Sequence, residues 1–235
     1  MKYVAEQDRK FTDMGGVKIY HSIFPVKFSP DDNAWGPVIR FDNKVLLPGR
    51  QEVQHYIGSP IQVLRIAING SVDYFDSWGY RTVLGEQDTL SVISGKEILS
   101  AALQNNDDQA DVELLEIWLL SGHKERSYRF HSGPASREKG KFYTVISDDE
   151  KDEDEQQKKS LKIGTFNAGQ NLMLNDIAEG QRIILFVFNG ELSANGQQLH
   201  YRDTIIFSQG NSVALEFKKD TNLFLMEIGK EAVKL

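Results

Sequence analysis

The chain states one pattern twice, and that repetition limits its fold more than any other feature. "RIAINGSVDYFDSWGYRTVLGEQDTLSVISG" (Arg65–Gly95) and "ILFVFNGELSANGQQLHYRDTIIFSQG" (Ile184–Gly210) pass the same landmarks in the same order. An apolar run meets Asn-Gly at Asn69-Gly70 and at Asn189-Gly190. A polar ribbon follows, and Asp-Thr opens a second apolar run at Asp88-Thr89 and Asp203-Thr204. Each copy reaches a glycine seven positions after its aspartate, Gly95 and Gly210. The Asn-to-Asp separation is 19 residues in one copy and 14 in the other, a difference that a hairpin absorbs at little entropic cost. Asn-Gly tolerates positive φ and so bends one strand sharply into the next. Landmarks kept in order mark the duplication of one supersecondary unit. Helix signals are scarce, because most apolar runs are short, β-branched and interrupted by Gly, Asn or Asp. The expected fold is all-β, two barrels or sandwiches in tandem.

At 235 residues the chain can bury two small cores. Its formal net charge is -7 with a pI near 5.3, which argues against a broad basic face for nucleic acid. No run of 18 apolar residues could span a membrane, and "MKYVAEQDRKF" lacks the apolar core of a secretory signal. With no cysteine, disulfides, thiolate metal sites and cysteine nucleophiles are excluded. A cytoplasmic location is expected.

"SDDEKDEDEQQKKS" (Ser147–Ser160) is almost entirely charged and polar and cannot bury apolar surface. It lacks the glycine and terminal glutamate of a calcium loop. The expected organisation is therefore an N-terminal barrel over residues 1–146, an exposed acidic linker or loop over 147–160, and a C-terminal barrel over 161–235.

The duplicated unit is similar to the double motif of cupins, and two copies in this length resemble a bicupin, each unit a double-stranded β-helix or jelly-roll barrel. "VLLPG" (Val45–Gly49), "FDSWGYRTVLGEQD" (Phe75–Asp88), "SGKEI" (Ser94–Ile98) and "LLEIWLLSGHKERSYRFH" (Leu114–His131) stand in the order found in pirin-like proteins. The resemblance is strong over about residues 35 to 135, and over the second unit it extends only to cupin shape. It implies an iron site in the first barrel, held by a His-x-His after Pro-Gly and a His-x-Glu after Gly-x-Gly-Ile. Counted from Pro48-Gly49, the first histidine falls on His55 and the second on Ile57 or Gly58. Counted from Gly95, the others fall on Ser100 and Ala102. At most one of four ligands is kept, whereas a divalent ion needs three or four N or O donors. The sequence thus points to a pirin-like protein with a degenerate metal site and no cofactor, the alternative being iron in the first barrel.

The pocket candidates near those positions are His55, Tyr56, Gln62, Leu64, Ile66, Ser100 and Glu116. His55 with Glu52 or Glu116 could form an acid–base pair, but no motif supports it. Ser100 lacks a nucleophile elbow. His123-Lys124-Glu125 offers a His-x-Glu in a strongly charged segment that reads as solvated surface. His21, His131 and His200 form no ligand pair, Trp118 reads as a core aromatic, and the second barrel reads as structural. The function expected is a non-catalytic small-molecule-sensing or protein-interaction module. The alternative that the resemblance implies is a metal-dependent dioxygenase of the quercetin 2,3-dioxygenase type. An unknown small molecule or a regulatory protein is the expected partner, with no direct nucleic acid or membrane contact; oligomeric state stays open.

Overall fold

The computed structural model describes residues 1–23, 37–56, 61–95, 99–121, 125, 127–133, 138–147, 159–174, 177, 179–208 and 212–229. These form two units of antiparallel strands, and the only helical element among them is a short 3-10 turn at Glu6–Asp8. Among the described residues no helix is long and apolar enough to cross a membrane. The all-β expectation holds.

The N-terminal unit holds the described residues of 10–23 and 37–133. Its strands are β2 (Lys10–Asp13), β3 (Val17–Ile23), β4 (Val38–Leu46), β5 (Gln51–Tyr56), β6 (Ile61–Asn69), β7 (Val72–Asp76), β8 (Arg81–Leu84), β9 (Thr89–Ile93), β10 (Leu99–Gln104), β11 (Val112–Leu120) and β12 (Ser127–His131). They form a seven-stranded sheet, β12-β9-β6-β11-β4-β3-β2, and a four-stranded sheet, β5-β10-β7-β8. Alternate residues of both sheets meet in one core that includes Val17, Ile19, Leu46, Val63, Ala67, Tyr74, Leu90, Leu103 and Leu114.

The C-terminal unit does not begin at the acidic stretch. It includes residues 1–9, because β1 (Lys2–Val4) pairs antiparallel with β19 (Thr204–Ser208). Its other strands are β13 (Lys141–Ser147), β14 (Lys159–Phe166), β15 (Asn171–Leu174), β16 (Arg182–Asn189), β17 (Leu192–Ala194), β18 (Gln197–Leu199), β20 (Val213–Phe217) and β21 (Thr221–Ile228). The sheets run β1-β19-β16-β21-β14-β13 and β15-β20-β17-β18. The expected boundary at residue 146 is therefore displaced at both ends. β13 belongs to this unit, and β13 and β14 are paired neighbours. The acidic segment thus joins two strands of one sheet, and its residues 148–158 lie outside the described set.

The duplication holds at the level of single hydrogen bonds. Gly85 N–H donates to Asp88 Oδ2 at 2.8 Å, and His200 N–H donates to Asp203 Oδ2 at 2.8 Å, each from three residues upstream. The residue before each aspartate has positive φ, 67° at Gln87 and 65° at Arg202, and its N–H donates to Ala67 and Val187 respectively. Ala67 and Val187 each stand two residues before their Asn-Gly. The Asp-Thr landmark is therefore a turn-closing aspartate, since the carboxylate satisfies a backbone donor that the turn leaves unpaired.

Gly190 shows how tightly the second copy is closed. It sits at φ +92°, and a Cβ there would lie 2.2 Å from the carbonyl oxygen of Asp220. Gly190→Ala is expected to destabilise by about 3 kcal/mol or more, combining left-handed strain with a backbone clash. Gly49→Ala is the control, at φ +66° with nothing within 4 Å, and should lose about 1–2 kcal/mol. Equal losses in urea denaturation would contradict the close approach.

Candidate functional site

Strand register decides which side chains enter the N-terminal barrel. On β6, Ile61, Val63 and Ala67 belong to the core, so Arg65 points inward with them. On β11 the inward set is Val112, Leu114, Glu116 and the half-buried Trp118, and on β4 it is Leu46, Lys44, Asp42 and Arg40. One cross-strand rung runs Leu90, Arg65, Glu116, Asp42, His21 across β9, β6, β11, β4 and β3. The apolar core thus gives way, at one level of the barrel, to a layer of charge.

The layer is closely connected. Lys44 Nζ donates to Glu52 Oε1 and Oε2 at 2.8 and 2.9 Å and lies 2.8 Å from Glu116 Oε1. Arg65 Nε donates to Glu116 Oε2 at 3.0 Å, and an Nη2 hydrogen goes to Gln54 Oε1 at 3.1 Å. The Gln54 amide donates to both Glu52 and Glu116 at 3.0 Å, and Trp118 Nε1 donates to Glu116 at 2.9 Å. Arg40 pairs with Asp42, whose other oxygen lies 2.7 Å from His21 Nδ1. Three carboxylates, Asp42, Glu52 and Glu116, thus face three cations, Arg40, Lys44 and Arg65.

The side chains of Lys44 and Glu116 are 0% exposed. Burial would raise the Glu116 pKa, but Lys44, Arg65 and Arg40 together outweigh it and hold this carboxyl well below the usual carboxylate range. Burial likewise leads in raising the Tyr74 phenol. Asp76 adds to that rise, while the Arg65 charge opposes it from a guanidinium 5.1 Å from the ring centre.

Above the charged layer sits an aromatic cluster. Trp78, Tyr80, Trp118 and Tyr128 are half-buried and pack against the core. Tyr80 and Tyr128 stack with centroids 4.1 Å apart, and Arg40 lies 4.9 Å from the Trp118 ring centre. Asp76 orders this end: its Oδ2 accepts from the hydroxyls of Tyr74 (3.1 Å) and Tyr128 (2.6 Å), and its Oδ1 from the Trp78 and Tyr80 amides.

The sequence-derived candidates separate clearly against this geometry. Glu116 faces inward, at the centre of the layer. His55 and Ser100 are brought together, Nδ1 to Oγ at 2.8 Å on directly opposed positions of β5 and β10. They do not line the barrel, however. His55 is exposed on the face opposite the buried Glu52 and Gln54, and Ser100 alternates with the core residues Leu99 and Ala101. Gln62, Leu64 and Ile66 also lie on the face of β6 away from this core, with Gln62 donating to Ser91 Oγ at 3.0 Å. Expecting these residues in the pocket was a one-residue error of parity, which in a strand moves a side chain to the other face. Tyr56 ends β5 with its side chain outside the described set, as are Ile57, Gly58, His123 and Lys124. Trp118 is more than a core aromatic, because its indole N–H serves Glu116.

Lys44, Glu52, Gln54 and Arg65 complete the layer. Their signal was present in the sequence: "DNKVLL", "QEVQHY" and "QVLRIAI" each place charged or amide side chains at core parity inside a strand run, a position such residues occupy only when paired.

The second copy of the repeat gives an internal comparison. Leu185 stands four residues before Asn189, as Arg65 stands four before Asn69. Its partner on β21 is Leu225, where Arg65 has Glu116. The C-terminal core cluster includes Leu185 and Leu225 themselves and Phe166 stacked on Phe217 at 4.3 Å. His200 is exposed, and its Nδ1 lies 3.9 Å from Glu191. Among the described residues no group of three or more His, Cys, Asp or Glu side chains could hold a metal ion.

Comparison with known proteins agrees with this architecture. Residues 144–228 match the quercetinase C-terminal cupin domain family. YhhW from Escherichia coli has a similar structure, with a TM-score of 0.85 at 15% identity over 98% of both chains. A second structure of it, a bacterial pirin in complex with nickel(II), gives 0.83 at 15% identity, covering 98% of this chain and 99% of that one. A quercetin 2,3-dioxygenase from Acinetobacter baumannii gives 0.75 at 18% identity, covering 98% of this chain and 86% of that one. No curated protein sequence matches the chain at a significant level. The chain thus carries a match to a quercetinase C-terminal cupin domain over residues 144–228 and, over nearly its whole length, a duplicated all-β fold similar to that of a bacterial pirin.

Proposed function

We propose that this protein is a non-catalytic member of the pirin-like fold, a binding module whose N-terminal barrel works without iron. The carrying observation is the pairing of the inward-facing carboxylates Glu52 and Glu116 with Lys44 and Arg65. Every inward oxygen that could ligate an ion on these two residues already accepts from a buried cation or amide of the chain. A divalent ion held there would stand beside two fixed positive charges in a low-dielectric interior. The inward positions of β10 are Leu99, Ala101 and Leu103, none of them a donor. A metal-dependent dioxygenase needs an ion held with open positions, which this donor set does not fit.

The binding surface in this reading is the aromatic cluster of Trp78, Tyr80, Trp118 and Tyr128 beside Arg40. It offers flat apolar faces with one guanidinium, a setting for a small planar ligand carrying an electron-rich group. The test is metal content. The protein is incubated with iron(II), nickel(II) or zinc(II), dialysed and measured by elemental analysis. Well under about 0.2 equivalents is expected. About one equivalent would support the alternative, a metal-dependent dioxygenase, and overturn this reading.

A further inference from the structure

We infer that the Lys44 ammonium is the resident cation of the N-terminal barrel, held in an oxygen cradle that would otherwise take an ion from solution. This deepens the metal-independent reading above and rests on it. The nitrogen has three oxygens within 2.9 Å, two from Glu52 and one from Glu116. Its three hydrogens suffice to meet all three. The side chains of Lys44, Glu52 and Glu116 are 0%, 3% and 0% exposed, so water does not share the work. Gln54 holds the two carboxylates together by donating to both. The strands set this convergence: Lys44 on β4 faces Leu114 across to β11, two residues from Glu116, while Glu52 arrives from β5 eight residues further along the chain. Two carboxylates around one buried positive charge make a hard-oxygen cradle, the donor chemistry of magnesium, calcium and manganese rather than of softer ions. What distinguishes it from a metal site is that its cation is covalently attached and cannot be exchanged or chelated.

Without its ammonium, Glu52 loses its cation and Glu116 is left with the Arg65 ion pair at Oε2, so an external divalent cation can supply the missing counter-charge. The experiment uses full-length Lys44→Ala and manganese(II), which gives a spectroscopic signal when free and can be counted after dialysis. Lys44→Ala is expected to retain about one equivalent of manganese, and its Tm to rise by several degrees on adding the ion. Both effects should vanish in Lys44→Ala/Glu116→Gln, which removes one carboxylate. The wild-type Tm should not respond to manganese or to a chelator. If Lys44→Ala does not fold alone, refolding with and without manganese reads the same point, with recovery expected only when the ion is present. Folded Lys44→Ala that holds no manganese, or refolding indifferent to the ion, overturns the inference. So does retention of the ion after Glu116→Gln. Failure here is distinct from failure of the metal-independent reading, which is decided by iron, nickel or zinc bound to the wild type.

Discussion

Glu116→Ala is expected to lower the stability of the N-terminal unit by about 3–5 kcal/mol, because it strands Arg65 and part of the Lys44 charge in a dry interior. Glu116 accepts from Lys44, Gln54, Trp118 and Arg65, and no solvent reaches it. The reverse replacement tests the cause. Arg65→Leu/Glu116→Leu copies the Leu185–Leu225 pair of the second barrel, and it should cost less than either single substitution, since a buried ion pair often breaks even with a well-packed apolar one. A double-mutant cycle in urea measures this, and simple additivity would show that the pair is not coupled. The pH dependence has a definite sign. The folded-state pKa of Glu116 is depressed, so its contribution is complete above the unfolded carboxyl value of about 4.3 and fades as the pH falls toward the lower folded value. The stability gap between wild type and Glu116→Ala should therefore narrow on acidification below that point.

Removing residues 1–9 is expected to damage the far end of the chain. Tyr3 Oη donates to Asp203 Oδ2 at 2.8 Å and Glu6 N–H to Asp203 Oδ1 at 2.9 Å. Arg9 donates to Thr204 Oγ1 at 2.7 Å, and its guanidinium lies 5.1 Å from the Phe186 ring centre. Asp203 is 3% exposed, and burial with this carboxylate as partner pushes the Tyr3 phenol up to about 12. Three partly or fully buried hydrogen bonds of about 1 kcal/mol each, with the pairing of β1, put the loss at about 3–5 kcal/mol. The deletion also bares the β19 edge with its apolar Ile205 and Ile206, an invitation to strand pairing between molecules. Hydrogen exchange in β16 and β19 should speed up selectively, and the truncated protein should aggregate at lower temperature. Unchanged protection of β19 would show that β1 is only an ornament of the edge.

Most of the fold was legible because the two Asn-Gly and Asp-Thr landmarks are local: each fixes a turn through its own backbone and side chain. The unit boundary was not, since nothing in "KYV" says that its partner is "TII" two hundred residues away. The site was half legible. Glu116 stood out inside "ELLEIWLL", but its partners were hidden by alignment to a ligand pattern that this chain does not carry. Counting ligand positions led to His55 and Ser100, which are adjacent in space and on the wrong face. Asking instead which charged residues share parity with core leucines would have named Lys44 and Arg65.

The pairing of Lys2 with Ile206 also sets an order of assembly. At a synthesis rate of about 5–20 residues per second, a nascent chain holds its first strand for about 10–40 s before the complementary edge emerges. The N-terminal barrel can close in that interval, while the C-terminal one cannot be finished. β1 is made about two hundred residues ahead of its partner, and a ribosome-bound chain carries it unpaired until β19 emerges.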